Sequence, residues 1–315
     1  MRPAPASVDT RVRLGPVELP NPIVAASGTF GHGDELARLC DPAELGAVTS
    51  KSQAPFAWPG SPPPRLHPAA SGMVNAVGLQ GEGVEHWMQH DLPALRARGA
   101  RVIASIWGHT VADYAKAAEL LVQVADDLVA LEVNLSCPNL DHGATMFASD
   151  PQDTSSAIRA VCEARVAIPV FAKLSPAGAD LTRVAAAALE AGATGLTLIN
   201  TVRALLVDAD ARRPVLGGPG GGLSGAAIKP IALRAVHDVT QAHPGVPVIG
   251  TGGVTNGVDA VEMLLAGATA VGVGTATFAD PRACLRVRDE LVRWCAARGV
   301  RSVAELTGGL RWETE

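Results

Sequence analysis

Several features that mark particular protein classes are missing from this 315-residue chain. Its five cysteines lie far apart and form no CxxC pair or other metal-ligand spacing, so the sequence predicts neither an iron–sulfur cluster nor another metal site in this chain. It has no long basic run, and its formal net charge is −5, which argues against a nucleic-acid partner. We therefore expect the partner to be a small molecule.

Membrane and export signals are also absent from the sequence. No apolar run reaches the ~18 residues needed to cross a bilayer, and residues 1–7 lack the apolar stretch of a signal peptide. Hydrophobic residues nevertheless make up 48% of the chain, which is enough for a large core. Because scattered thiols in such a chain fit a reducing environment, we expect a cytoplasmic protein with no membrane partner.

Lysine and asparagine are rare enough for their positions to be informative. Arginine supplies most of the 26 basic residues, so a lysine at a special position indicates a need for a compact ammonium group. The lysines are Lys51, Lys116, Lys173 and Lys229. The asparagines are Asn21, Asn75, Asn134, Asn139, Asn200 and Asn256.

Short apolar runs alternate with amphipathic helical segments or long loops along the whole chain. The predicted strands are residues 22–27, 47–51, 101–106, 130–136, 170–175, 195–200, 247–253 and 270–275. The clearest predicted helices are residues 111–127, 181–191, 226–241 and 256–266. Eight buried strands in this α/β alternation predict one (β/α)₈ TIM barrel domain over residues 1–315, with an open doubly wound sheet as the alternative.

Three long loops leave the C-terminal ends of predicted strands, where barrel enzymes place their active sites. They are residues 54–68, 138–151 and 203–222. The first is rich in proline and cannot be a central strand or a helix, because proline lacks the N–H that both require.

Polar residues gather at the predicted strand ends. They are Ser27, Lys51, Ser52, Ser105, Asn134, Ser136, Cys137, Lys173, Ser175, Asn200, Thr201, Thr251 and Thr275. Turn formation explains a single Ser, Thr or Asn about as well as ligand binding does, but it gives no reason for Lys51 or Lys173. Gly252-Gly253 and Gly274-Thr275, after strands seven and eight, predict a phosphate site where backbone N–H groups can approach an anion.

Four asparagines, Asn75, Asn134, Asn139 and Asn200, lie in or beside these loops. Their amides suit a ligand edge that alternates N–H and C=O, as a pyrimidine ring does, and Lys51 could pair with a carboxylate. Cys137 precedes Pro138, which disfavours continuation of the strand, so we expect the thiol to face the barrel mouth as a nucleophile or general base. The other cysteines are expected to be buried and inert.

These and further motifs resemble the class 1 dihydroorotate dehydrogenases over residues 12–295. They are residues 21–31 (NPIVAASGTFG), 62–65 (PPPR), 75–79 (NAVGL), 134–139 (NLSCPN), 173–176 (KLSP), 196–201 (LTLINT), 221–225 (GGLSG), 228–231 (IKPI) and 252–253 (GG). The cysteine in the fourth-strand motif distinguishes class 1 from the membrane-associated class 2, which has serine there.

The resemblance implies oxidation of dihydroorotate to orotate in de novo pyrimidine biosynthesis, with FMN accepting a hydride and Cys137 as general base. The implied FMN contacts are Ser27, Lys51, Ser52, Ser105, Asn134, Lys173, Ile199, Gly225, Gly252, Gly253, Gly274 and Thr275. The implied substrate contacts are Lys51, Asn75, Gly78, Leu79, Asn134, Asn139, Asn200 and Thr201. One position departs from the family, which usually has asparagine where this chain has Ser105, and Trp107 and His109 nearby are also unusual.

Within class 1 the chain is similar to the B type. That type implies a homodimeric core and a second subunit that carries FAD and a 2Fe–2S cluster and passes electrons to NAD. The residues leave other functions open: a related FMN-dependent pyrimidine or dihydropyrimidine oxidoreductase, a flavin-free lyase or aldolase with a Schiff base on Lys173 or Lys51, and a non-catalytic binding subunit. The physiological electron acceptor is also left open.

Overall fold

A computed structural model describes residues 8–136, 138–139, 145–176, 180–218 and 220–312 of the protein. A hairpin of β1 (Val12–Leu14) and β2 (Val17–Leu19) precedes a closed barrel of eight parallel strands. The barrel strands are β3 (Ile23–Ala25), β4 (Ala47–Thr49), β7 (Val102–Ile106), β8 (Leu128–Asn134), β11 (Val170–Leu174), β12 (Gly195–Leu198), β17 (Val248–Thr251) and β18 (Ala270–Val273). This closed sheet confirms the predicted TIM barrel and excludes the doubly wound alternative.

The barrel closes between its last strand and its first. In β18, Val271 and Gly272 pair with Ile23 and Val24 of β3 in parallel register. The barrel strands bury nearly all of their side chains, as expected for parallel strands covered on both faces. Each predicted strand therefore corresponds to one strand of the barrel.

The helices surround the barrel and confirm the four predicted from the sequence. They are α1 (Val84–His90), α2 (Leu92–Ala97), α3 (Val111–Leu121), α4 (Pro151–Glu163), α5 (Leu181–Glu190), α6 (Lys229–Ala242), α7 (Gly257–Leu265), α8 (Ala276–Ala279) and α9 (Ala283–Arg298). Short 3₁₀ helices are Pro42–Glu44, Val122–Asp127, Phe147–Ser149, Ala226–Ile228 and Val303–Leu306. None of the helices in the described ranges is long and apolar enough to span a bilayer.

Side-chain caps explain where several helices begin. The Asn256 side chain accepts hydrogen bonds from the backbone N–H groups of Val258 and Asp259 at the start of α7, and Asp259 in turn accepts one from the Asn256 N–H. Such reciprocal capping satisfies N–H groups that have no partner within the helix. It fixes the start of α7 close to the C-terminal end of β17.

A small sheet beside the barrel mouth was not predicted. Its four strands, in the order β13-β16-β6-β5, are β5 (Leu66–Ala69), β6 (Gly72–Asn75), β13 (Val202–Ala204) and β16 (Gly221–Ser224). Two more pairs are β9 (Pro138–Asn139) with β10 (Thr145–Met146) and β14 (Val207–Asp208) with β15 (Arg213–Pro214). The expectation of long loops at 54–68, 138–151 and 203–222 was therefore partly wrong, because each range contains strand residues. Pro68 is accommodated because β5 is an edge strand.

Candidate active site

A cavity of about 370 Å³ lies at the C-terminal ends of the barrel strands. It is bounded by those strand ends on one side and by residues of the small sheet on the other. The structure brings most of the predicted site residues to its lining: Ser27, Lys51, Ser52, Asn75, Gly78, Leu79, Asn134, Lys173, Ile199, Asn200, Thr201, Gly225, Gly252, Gly253, Gly274 and Thr275. Residues from widely separated parts of the sequence thus meet around one space.

Three predicted site residues are not among the described residues that line the cavity. Ser105 is buried behind the lining rather than at the surface of the cavity. Cys137 lies outside the described residues, as does the side chain of Asn139. Of the other cysteines, Cys40, Cys284 and Cys295 are buried, as expected, whereas Cys162 is half-buried, and all four are free thiols.

A chain of hydrogen bonds forms the cavity floor. Ser105 Oγ donates to Glu132 Oε1 over 3.2 Å, and Ser105 Oγ and Ser52 Oγ are 2.9 Å apart. Because an ionised carboxylate can only accept, Ser105 must use its proton on Glu132 and accept from Ser52. Asn134 Nδ2 donates to Ser52 Oγ over 3.2 Å. The serine that was expected to touch a flavin therefore links a lining residue to a buried carboxylate.

Lys173 and Glu132 form a buried ion pair at this floor. Lys173 Nζ donates to Glu132 Oε1 over 3.4 Å, and the two side chains are 7% and 2% exposed. A charge buried this deeply needs its partner, because solvation by water is largely lost. Sequence reasoning missed Glu132, although a carboxylate within the otherwise apolar run of β8 was the signal that could have identified it.

The asparagines that line the cavity are held in defined orientations. Asn200 Nδ2 donates to Asn134 Oδ1 over 3.1 Å and to Ser136 Oγ over 2.9 Å. Across the cavity, Asn75 Nδ2 donates to the backbone carbonyl of Gly222 over 3.2 Å. Fixed amides present their remaining hydrogen-bonding groups in fixed directions, which suits recognition of a planar polar ring.

The turns after β17 and β18 form a glycine rim, which we define as Gly252, Gly253, Gly274 and Thr275. Within the described ranges, the backbone N–H groups of these four residues have no protein acceptor. Gly252 and Gly253 have φ of +133° and +75°. Thr251 Oγ1 lines the same region and is buried without a hydrogen-bond partner in the described chain. With the short helix α8 directly after the rim, this arrangement is typical of barrel phosphate sites.

An ion cluster behind the glycine rim fixes its position. A Cβ on Gly253 would lie 2.6 Å from Lys229 Cβ, so the turn packs directly against the start of α6. Lys229 Nζ lies 2.6 Å from both Asp259 Oδ1 and Glu262 Oε2 of α7. Burial lowers the pKa of Lys229, but its hydrogen bonds to the two carboxylates raise it by more. Burial raises the pKa of Asp259, yet hydrogen bonds from Lys229 and Thr255 hold it below its ordinary value.

Comparison with known proteins shows similarity to one family over nearly the whole chain. A family model described as dihydroorotate dehydrogenase matches residues 10–294. The protein named "Dihydroorotate dehydrogenase B (NAD(+)), catalytic subunit" in Geobacter sulfurreducens is 42% identical over 302 residues, 96% of this chain and 98% of that protein. Its namesakes in Bacteroides thetaiotaomicron and Desulforudis audaxviator are 40% and 44% identical, each over 96% of this chain and over 99% and 97% of their own lengths.

Proposed function

Since the chain belongs to the dihydroorotate dehydrogenase family of flavin-dependent oxidoreductases, we propose that it is a B-type catalytic subunit that oxidises dihydroorotate with FMN and Cys137. The observation that carries this proposal is the convergence of two lysines, three asparagines and the glycine rim on one cavity. A cationic and amide-rich region suits a pyrimidine carboxylate, while the rim suits a phosphate. Family membership argues against the flavin-free lyase and against a non-catalytic subunit.

FMN fits the residues that are present. The four N–H groups of the glycine rim and the unpaired Thr251 Oγ1 supply donors for a phosphate group. The residues that would hold the rest of the cofactor are Ser27, Lys51, Ser52, Asn134, Lys173, Ile199 and Gly225, with Ser105 acting through Ser52 instead of by contact. When bound, FMN supplies the acceptor for the hydride that leaves C6 of the substrate.

Dihydroorotate would be bound by groups that match its carboxylate and its alternating ring edge. Lys51 provides the cation, and its Nζ packs against the turn at Gly28, where a Cβ would lie 3.5 Å away. Asn75, Asn134, Asn139 and Asn200 provide amide groups, with Gly78, Leu79 and Thr201 completing the contacts. These assignments agree with the position of the described members of this set around the cavity.

Cys137 is proposed to remove the proton from C5 of dihydroorotate. A free thiol has a pKa of ~8.5, so the thiolate is a minority at neutral pH unless its surroundings favour it. The rate of flavin reduction should therefore rise with pH to a plateau. Serine is a far weaker acid than cysteine, so Cys137→Ser should slow flavin reduction while binding of FMN and orotate survives.

Stopped-flow mixing with dihydroorotate across pH tests this role. Reoxidation of the prereduced flavin by an artificial acceptor is the control, because that half-reaction needs no proton from C5 and should be nearly unchanged in Cys137→Ser. Reduction of the serine variant at the native rate would show that Cys137 is not the base.

The names of the relatives include NAD and a catalytic subunit, which supports a partner for electron transfer. We propose a cytoplasmic single-domain chain that forms a homodimeric core with a subunit carrying FAD and a 2Fe–2S cluster. The isolated chain should then reduce its own flavin with dihydroorotate but transfer electrons poorly to NAD. Efficient NAD reduction by the chain alone would contradict this, and good turnover with fumarate would indicate the A type.

A further inference from the structure

Leu79 has an unusual backbone conformation at the edge of the cavity. Its φ is +60°, in the left-handed region that residues with a branched side chain rarely adopt. The other non-glycine residues with positive φ in the described ranges, Arg165 and Arg212, are exposed and do not line the cavity. Such a conformation persists only where surrounding structure enforces it, and it often marks a functional site.

An aromatic wall, which we define as Phe56, Trp58, Trp107 and His109, stands behind Leu79. Trp107 is 1% exposed and forms a small apolar core with Ala54, against which both Phe56 and Leu79 pack. The ring centre of Trp107 lies 5.8 Å from that of Phe56, 6.1 Å from Trp58 and 4.8 Å from His109. All four rings contact one another, and Trp107 is the only one of the four that is fully buried.

Backbone hydrogen bonds hold the Leu79 turn on both sides. Trp58 and Gly81 exchange N–H···O=C bonds of 2.8 and 3.0 Å, and Ser61 N–H donates to the Val77 carbonyl over 3.0 Å. The residues before and after Leu79 are therefore tied to the loop that carries the aromatic wall. The turn cannot relax unless the wall also moves.

The wall is in turn anchored to the barrel. Trp107 N–H donates to the Gln53 carbonyl over 3.0 Å, and Gln53 N–H donates to the Ser105 carbonyl over 2.9 Å. These bonds extend the pairing of β7 beyond its last residue, so the backbone of Trp107 is tied to the barrel. Ser105 and Trp107, the two unusual residues of this strand end, point to different parts of the site.

We propose that Trp107 is a positioning residue that holds Gly78 and Leu79 in the conformation that the substrate requires. The inference rests on the proposed function, because it takes this turn as part of the dihydroorotate pocket. Without Trp107 the turn can adopt an unstrained φ, and ligand binding must then restore the strained form. The glycine rim lies on different strands, so FMN binding is expected to be independent of Trp107.

Orotate affinity of the flavin-loaded protein, measured by the change in flavin absorbance, tests the proposal. Trp107→Ala should weaken orotate binding about tenfold, or about 1.4 kcal/mol, with unchanged flavin content and an unchanged rate of flavin reduction at saturating dihydroorotate. Trp107→Phe should restore most of the affinity. The matched control is Trp87→Ala, since Trp87 is also 1% exposed but packs in the main core. It should lose stability and keep the native orotate affinity.

Two results would overturn the proposal: orotate affinity within twofold of native in Trp107→Ala, or an equal loss of affinity in Trp87→Ala. If Trp107→Ala does not fold, Phe56→Ala decides, because Phe56 is half-buried and packs against Trp107. Native affinity in that variant would overturn the proposal too. A native protein that binds no orotate would instead contradict the proposed function, so the two failures are distinguishable.

Discussion

The floor of the cavity and its glycine rim are built by opposite means. At the floor, the polar groups are side chains, with Ser105 and Lys173 both donating to the buried carboxylate of Glu132. At the rim, the polar groups are backbone N–H groups, and the turn at Gly252 and Gly253 leaves no room for side chains. The floor should therefore be sensitive to charge, and the rim should be sensitive to added volume.

The largest effect is expected at the floor. Glu132→Gln keeps the shape of the side chain but leaves Lys173 buried without a counter-charge, so stability should fall by about 3–5 kcal/mol. Loss of a negative charge near the flavin should also raise its midpoint potential. Urea unfolding and a dye-referenced reductive titration measure the two quantities.

Ser105→Ala is the matched control for Glu132, because it removes a hydrogen bond to the same carboxylate without changing any charge. It should lower the free energy of unfolding by about 1 kcal/mol and leave the flavin midpoint potential nearly unchanged. An equal shift of the flavin midpoint potential in Glu132→Gln and Ser105→Ala would contradict the view that the floor is sensitive to charge.

The next largest effect is expected at the rim. Gly253→Ala places a Cβ 2.6 Å from Lys229 Cβ at a φ of +75°, so the turn or the start of α6 must move. Strain and overpacking together should lower the free energy of unfolding by about 2–4 kcal/mol and weaken FMN binding at least ~30-fold. Fluorescence titration of the apoprotein with FMN measures the affinity.

Gly245→Ala is the control for Gly253→Ala, because it introduces the backbone strain of a positive φ without overpacking and lies outside the rim. Gly245 has φ of +83°, but a Cβ there would meet no atom within 4 Å. This variant should lose about 1 kcal/mol of stability and bind FMN as the native protein does. Native FMN affinity in Gly253→Ala would contradict the view that the rim depends on its volume.

The smallest effect is expected from the ion cluster behind the rim. The pKa of Asp259 is lowered in the folded protein, so its contribution is complete above the unfolded pKa of ~3.9 and is lost as pH falls through the folded value. Asp259→Asn should lose about 1–2 kcal/mol at pH ~7, and the difference from native should shrink below pH ~4.

Urea unfolding at several pH values checks this prediction. Asp238→Asn is the control, because Asp238 pairs with Arg234 at an exposed site and should contribute less than about 0.5 kcal/mol. A constant difference between Asp259→Asn and native across pH would show that the Asp259 charge does not support the rim.

Much of the fold could be predicted because the barrel strands repeat one simple pattern. Each is a short apolar run, and all but residues 101–106 end in a polar or glycine residue. The predicted runs extend past the observed strands mainly at those polar ends. The small sheet was missed because β16 is rich in glycine and β5 contains proline, which give no strand signal. Pairing across the barrel mouth, rather than local preference, forms these strands.

The site could be predicted where its residues end a strand and not where they lie behind the lining. Lys173 and the glycine rim follow from position alone, and their roles in binding stay predictions. Glu132 was missed because it lies inside β8. Ser105 is held behind the lining by hydrogen bonds to side chains of neighbouring strands, so its own position in the sequence predicted a flavin contact instead. Trp107 is unusual in sequence, but the cluster that it forms with Ala54, against which Leu79 packs, joins residues that are distant in sequence.

Anaerobic addition of dihydroorotate to the purified chain tests the central claim most directly. If the cavity holds FMN and the substrate together, as we propose, the flavin absorbance should bleach without any partner subunit, and one orotate should form for each flavin reduced. FMN should be the flavin released on denaturation. A chain that retains bound FMN and yet stays oxidised with excess dihydroorotate would contradict the account.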